Sequence, residues 1–442
     1  MPTSDARPDA STGFLARHAW AVTAVLLFAA LGGPFVTRKL SEWDSVYLVA
    51  ARHLSAGEDL FDLKDGYLYP PFMALVAVPF TALPHATGRL VWYLVNVACI
   101  IVLVRAAWRL SGGGAIPSAS RTDRREGVIF AIGLAVGGYY LFDALSHQQT
   151  DALIACCVLT GALALSREQV MRGAVLLGLA AGAKCTALLW APFLVWKGRG
   201  RAAGILVAVA VGVNLLPNLV STPPGGGAWL AEWGRRCLAP LGRADACPGT
   251  WGSDILYNQS LAGAVNRWSR TELVETPNDL AYAARPAPPP VTPLKLALYG
   301  VEFALLAGVA GLTRLKRTDG LSATTPTVSA WEASLVCLLM LLLSPMSSKP
   351  HFILVLLPGF CLARRAVLDW VWTAAVPLAV AVLLGLASNK DLVGARAYTL
   401  LLWGGSVTVA TAALTAGCAA ALWRCPRAAA PSPALTKPAR AA

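Results

Sequence analysis

Apolar runs long enough to cross a hydrocarbon layer of about 30 Å recur along the whole chain, separated by short charged or Pro/Gly-rich punctuation. They fall near 19–36, 88–108, 128–146, 151–166, 202–221, 296–313, 331–346, 366–387 and 398–423. Four further runs, 69–84, 171–183, 185–196 and 351–363, hold about 12 to 16 residues and are too short for a straight crossing, so they are expected as tilted, re-entrant or hairpin helices. The pattern predicts an all-α polytopic membrane protein with about 11–13 transmembrane or re-entrant helices and two long loops, 37–87 and 222–295. The first run is too long for a signal-peptide core and lacks a small-residue cleavage site, so it is expected to remain as an uncleaved span. One membrane domain, 18–423, is expected between polar, disordered tails at 1–17 and 424–442, both cytoplasmic.

Composition agrees: of 442 residues 56% are hydrophobic and 14% charged, against about a quarter charged in a soluble chain. The net charge of +13 does not point to nucleic acid, because the basic residues form no patch interleaved with aromatics and fall between apolar runs instead. With the N-terminus cytoplasmic, the short inner loops and tails carry 21 of the 37 Lys and Arg, and most of the others lie in the two long loops, where the positive-inside rule is weak. This orientation requires either that 69–84 enter and leave on one side or that a short span elsewhere fail to cross. It places Asp44, Tyr69-Pro70-Pro71, His147 to Asp151, Lys184, Asn258-Gln259-Ser260, Ser344-Pro345, Lys349 and His351 together on the extracytoplasmic face of a cell membrane.

Several of these residues carry candidate chemistry. Asp44 follows the first span, and a partly desolvated carboxylate there is expected to have a raised pKa, as suits a general base; the bland alternative is a solvated loop residue or a helix N-cap. Tyr69-Pro70-Pro71 reads as a rigid helix start holding the loop 37–71 over the membrane. Lys184 sits at the bend of a short apolar hairpin and is a candidate for a lipid phosphate; the bland alternative is a lysine that snorkels to water or pairs with Asp151. His147, Gln149 and Asp151 lie in a polar link suited to sugar hydroxyls, with a helix cap as the alternative for Asp151. Lys349 and His351 follow a Pro-broken stretch and are candidates for phosphate contact, His351 equally for a packed histidine. Ten cysteines show no metal-ligand spacing. Cys237 and Cys247 share the second long loop, either as a small disulfide ring or as thiols. That loop also carries Trp229, Trp233, Trp251 and Trp268, residue types suited to the headgroup layer or to stacking on sugar rings. No phosphate-cradling or dinucleotide fingerprint, HExxH or Gly-x-Ser-x-Gly elbow is present, so neither a nucleotide-driven pump nor a cofactor is implied.

Taken in order, Trp43-Asp44 through Tyr47, Ala56-Gly57-Glu58-Asp59-Leu60-Phe61, Tyr69-Pro70-Pro71 with Pro79 and Leu83-Pro84, Gln149-x-Asp151, Gly178 to Lys184, Asn258-Gln259-Ser260-Leu261 with Arg267, and Ser344-Pro345 with His351 resemble glycosyltransferase family 87. The resemblance covers roughly residues 17–425 and implies a GT-C membrane fold. It also implies inverting transfer of mannose from a polyprenyl-phosphate donor to an acceptor hydroxyl, on a glycolipid, a glycan or another acceptor. Asp44 is then the base, and Lys184, Lys349, His351 and Arg267 are candidates for the donor phosphate. Tyr69, His147, Gln149, Asp151, Asn258 and Gln259 are candidates for sugar or acceptor, with no metal. Two stretches depart from the family pattern: Gln148-Gln149-Thr150-Asp151 stands where Gly-Gln-x-Asn is usual, and Cys185-Thr186 where a proline is common. A transporter or lipid flippase is the competing class, but the internal repeats that would mark a carrier are not evident. A transferase using another sugar such as arabinofuranose is the competitor among enzymes.

Overall fold

The computed structural model describes residues 25–38, 41–61, 66–116, 124–243, 245–249, 256–276, 279–315 and 326–424. Residues 1–24 and 425–442, with most of both expected tails, lie outside the described residues, as does Trp251. The architecture is helical. In chain order the elements are α1 (Val25–Thr37), a π-helical turn Trp43–Leu48 running into α2 (Val49–Ala56), α3 (Phe72–Thr81), α4 (His85–Leu110), α5 (Arg124–His147), α6 (Asp151–Ser166) and α7 (Val170–Ala183). A 3-10 turn (Cys185–Leu189) then leads into α8 (Trp190–Trp196), followed by α9 (Gly200–Leu215) and α10 (Trp229–Trp233). After α11 (Leu261–Arg270) comes a hairpin of β1 (Thr271–Glu275) and β2 (Leu280–Ala284), and then α12 (Val291–Leu315) and α13 (Pro326–Leu342). A 3-10 turn (Lys349–Val355) opens α14 (Leu356–Asp369), and α15 (Trp372–Ala387), α16 (Lys390–Trp403) and α17 (Ser406–Arg424) complete the chain.

Among the described residues six helices are long and apolar enough to span a membrane, and six shorter apolar helices accompany them. The polar contacts sort the helix ends into two opposite sets. At one end Arg364 grips Glu126 with bonds of 2.6 and 2.9 Å, Arg199 meets Glu168 at 3.1 Å and Lys197 meets Glu332 at 2.8 Å. At the other lie Asp44 with Arg89, Lys184 with Asp151, and Arg236 with Asp59 at 2.6 Å. The short helix α3 begins and ends at this second end: the Phe72 N–H donates to Asn214 of α9 at 2.9 Å, and the helix leads straight into His85, which lies 3.4 Å from Asp44. Both of its ends therefore lie at the same end of the bundle, the first of the two arrangements open to the sequence.

Two boundaries differ from those read in the sequence, each for a local reason. The runs 351–363 and 366–387 are redistributed because Arg364 and Arg365 sit inside one span, Lys349–Asp369, where Arg364 is neutralised by Glu126 and stacks on Trp108 at 5.0 Å. The run 398–423 is cut at Gly404-Gly405, where Gly405 takes φ +76°, a conformation that costs glycine little. Before that break α16 turns back from α15 by 98°.

Helix packing relies on small residues that let backbones approach. Gly133 and Gly137 of α5 face Phe360 and Leu356 of α14, and a methyl built on Gly133 would stand 2.0 Å from the Phe360 ring. Phe360 is itself enclosed between Phe130 and Trp108, with ring centroids 5.6 and 5.4 Å away. Gly133→Ala is therefore expected to destabilise the fold by about 1–3 kcal/mol through overpacking. Thermal unfolding in detergent should show a lower midpoint, whereas Gly138→Ala, whose methyl meets nothing within 4 Å, should cost little.

Candidate active site

The site is built around the π-helical turn Trp43–Leu48. Trp43 is fully buried and stacks on Trp92 of α4 with centroids 3.8 Å apart. Tyr47 bonds Thr150 at 3.1 Å from the turn's far end. These two aromatics pin the turn between α4 and the α5–α6 junction, so the residues on its flanks have fixed directions. The start of α3 is equally rigid: Tyr67 donates to the Pro70 carbonyl at 2.7 Å and accepts from the Ala74 N–H at 2.9 Å. This holds Tyr69 5.1 Å from the Tyr47 ring, centroid to centroid.

Asp44 is neither a helix cap nor a solvated loop residue. Glu42 occupies the N-cap, and Asp44 lies in the first turn with its Oδ2 held by Ser41 Oγ at 2.7 Å, by Arg89 Nε at 2.9 Å and by Arg89 Nη2. Its Oδ1 accepts no hydrogen bond and faces His85 Nε2 at 3.4 Å. The raised pKa expected from desolvation is corrected here. Burial does push the carboxyl upward, but the hydrogen bonds from Arg89 and Ser41 and the charge of Arg89 outweigh it, so the pKa lies below the ordinary aspartate value.

On the other flank of the turn lies a second polar group. α7 ends at Ala183, Lys184 is extended, and the Gly182 carbonyl exposed by the break accepts from Asn214 at 3.0 Å. The break aims Lys184 at Asp151, with Nζ 3.1 Å from Oδ1 and 5.6 Å from the Tyr69 ring. His351 joins them. Its Nδ1 accepts from the Ser348 N–H at 3.0 Å, which leaves Nε2 facing Asp151 Oδ1 at 3.6 Å. Asp151 is thus not the helix cap, a position taken by Thr150; it is a buried carboxylate shared by two cationic or hydrogen-donating side chains. The three residues line a small cavity whose walls continue through Ile154, Met340 and Leu354 and are mostly apolar.

The remaining candidates fall elsewhere. Lys349 points to the α5–α16 corner, bonded to Tyr139 and Tyr398 at 3.0 Å each and 3.8 Å from Asp143. His147 is bound to the Asp143 carbonyl at 2.9 Å and partly exposed. Gln149 is buried and donates to Glu42. Asn258 and Gln259 are fully enclosed: Asn258 accepts from the Ser347 N–H at 3.0 Å and donates to Pro345 O at 2.9 Å, and the Gln259 amide donates to Leu256 O and Leu402 O. The Asn258 amide and the Gln259 backbone N–H, which donates to Ser347 O at 2.7 Å, hold the 344–348 loop that leads to His351, and neither residue lines the cavity. Arg267 is likewise enclosed, donating to Trp403 O and Asn258 O at 2.7 Å each, with burial lowering its pKa to about 10. It ties Asn258 to the end of α16 and is not among the residues lining the cavity. Cys237 and Cys247 are present as thiols rather than as a disulfide, and burial pushes the Cys237 thiol up to about 11. Trp229 and Trp233 are buried, donating to Ser221 O at 2.8 Å and Leu68 O at 3.0 Å, and so pack the loop against the bundle instead of lying in headgroups.

Arg89, Ser41, Glu42 and His85 were missed in the sequence. Arg89 left a signal, a cation one residue inside an apolar span, which asks for a buried anion. Glu42 was overlooked beside Asp44.

A polytopic α-helical membrane protein with a carboxylate and a Lys–Asp–His group on one face is the class that these features define. The sequence profile of glycosyltransferase family 87 matches residues 67–345, and the chain belongs to this family. The chain is similar to the polyprenol-phosphate-mannose-dependent alpha-(1-2)-phosphatidylinositol pentamannoside mannosyltransferase of Mycobacterium tuberculosis (strain CDC 1551 / Oshkosh), at 29% identity over 153 residues, 34% of this chain and 33% of the relative. The matched region thus spans about a third of that relative's length. No solved structure matches the chain.

Proposed function

We propose that the protein transfers mannose from a polyprenyl-phosphate donor to an acceptor hydroxyl, with inversion at the anomeric carbon. The observation that carries this reading is the Lys184–Asp151–His351 group at the head of an apolar-walled cavity, next to the turn that presents Asp44. A lipid-linked sugar phosphate brings an anionic head that such a group can meet, while its apolar tail belongs in the surrounding membrane. In the reaction the acceptor oxygen bonds to the anomeric carbon as the bond from that carbon to the phosphate oxygen breaks. The acceptor proton passes to a carboxylate, and the polyprenyl phosphate leaves as an anion that needs no proton, so one base suffices. Asp44 Oδ1 is the base in this scheme, with Oδ2 fixed by Arg89. Lys184 and His351 meet the developing phosphate charge, and a glycolipid is the acceptor class favoured by the relative's name. The face bearing the site is extracytoplasmic, since the short loops of the opposite end carry the concentration of Lys and Arg.

The test supplies purified protein in lipid nanodiscs with radiolabelled polyprenyl-phosphate-mannose and a membrane extract as the source of acceptor. Label should pass into a lipid-extractable or glycan product. Lys184→Gln should raise the donor KM by about tenfold or more, as expected for a lost charge-assisted bond. Absence of transfer by wild type from any mannosyl lipid would sink the reading.

A further inference from the structure

We propose that Glu42 and Gln149 form a reader for hydroxyl groups of the transferred sugar, set on the opposite flank of the turn from Asp44; this rests on the transferase reading above. The two carboxylates are two residues apart, yet Asp44 turns to Arg89 of α4 while Glu42 turns to Gln149 at the α5–α6 junction, which donates to its Oε2. That junction leads directly into Thr150, bonded to Tyr47, and Asp151, bonded to Lys184. Glu42 is thus tied, through Gln149, to the junction that carries Asp151.

Its electrostatic situation differs from that of its neighbours. Asp44 is paired with Arg89, Asp151 with Lys184 and His351, and Asp143 with Lys349, whereas no ion pair to Glu42 is formed among the described residues. A half-buried carboxylate without a cation is costly unless hydrogen-bond donors satisfy it. Burial raises the Glu42 pKa, and the bond from Gln149 and the charge of His147 only partly offset this. Gln149 adds a second unmet need, for its Oε1 is buried and has no partner. Two acceptors side by side match a ligand that donates hydrogen bonds without carrying charge. Adjacent hydroxyls of a sugar do this, whereas the phosphate would be repelled by Glu42 and is served by Lys184.

The experiment compares wild type, Glu42→Gln and Gln149→Ala in nanodiscs, with polyprenyl-phosphate-mannose and its C2 epimer polyprenyl-phosphate-glucose as donors and thermal unfolding as a check of folding. Both variants should raise the mannosyl donor KM by about tenfold or more while kcat stays within about threefold, and should narrow the preference between the two epimers. An unchanged KM and preference in folded variants would overturn the proposal. So would a loss of kcat at unchanged KM, or a shift in acceptor KM alone. If wild type transfers from neither donor, the transferase reading itself fails and the proposal falls with it.

Discussion

Asp44→Asn should lower the turnover of sugar transfer by about 10²- to 10⁴-fold, the range for loss of a positioned general base, and leave donor KM nearly unchanged. The substitution keeps the shape of the side chain and its bond from Ser41 but leaves the buried Arg89 without its anion, so a folded protein with a lowered unfolding midpoint is expected, and turnover is compared below that midpoint. What it removes is the oxygen able to take the acceptor proton, because Oδ2 is held by Arg89 and Ser41 and only Oδ1 is left for a hydroxyl. The pH profile sharpens the test. Since the Asp44 pKa lies below the ordinary aspartate value, the wild-type rate should persist through the range in which an ordinary aspartate protonates and fail only at more acid pH. Full activity in Asp44→Asn would move the proton-accepting role elsewhere, and Glu42 would be the first residue to examine.

Much of this was legible in the sequence because membrane burial makes each polar residue conspicuous. Lys184 interrupting an apolar hairpin announced a buried anion, and the structure supplies Asp151. The double proline at 70–71 announced a rigid helix start, and Asn214 satisfies the exposed N–H there. What could not be read was direction. Nothing in the spacing of Glu42 and Asp44 says that they face opposite flanks, since this depends on Trp43 locking against Trp92 almost fifty residues away. The pKa of Asp44 was misjudged for the same reason. Desolvation by the membrane is a property of position along the chain, but the Arg89 that outweighs it arrives through tertiary packing. Asn258 and Gln259 show a third limit: residues on a loop near a site look alike in sequence whether they touch a ligand or hold a neighbouring loop.

Removing the partner tests that account of Asp44 directly. Arg89 is 1% exposed, and besides Asp44 it donates to the carbonyls of Val36 and Arg38, tying α4 to the end of α1. Arg89→Met keeps the length of the side chain and deletes the charge. Breaking a buried ion pair from one side costs about 3–5 kcal/mol, and the partial exposure of Asp44 places the expected loss toward about 2–3 kcal/mol. The unfolding midpoint at neutral pH should drop accordingly. The loss has a pH signature: a carboxylate whose pKa is depressed on folding contributes stability that is complete above its unfolded pKa and disappears as pH falls through the folded one. The gap in midpoint between wild type and Arg89→Met should therefore be widest near neutral pH and narrow on acidification. In the surviving enzyme, desolvation now acts on Asp44 without the opposing cation, so the acid limb of kcat should shift to higher pH than in wild type. A limb that stays in place, with a midpoint gap independent of pH, would show that Arg89 serves only to pack α4 against α1 and that Asp44 takes its charge balance from another group.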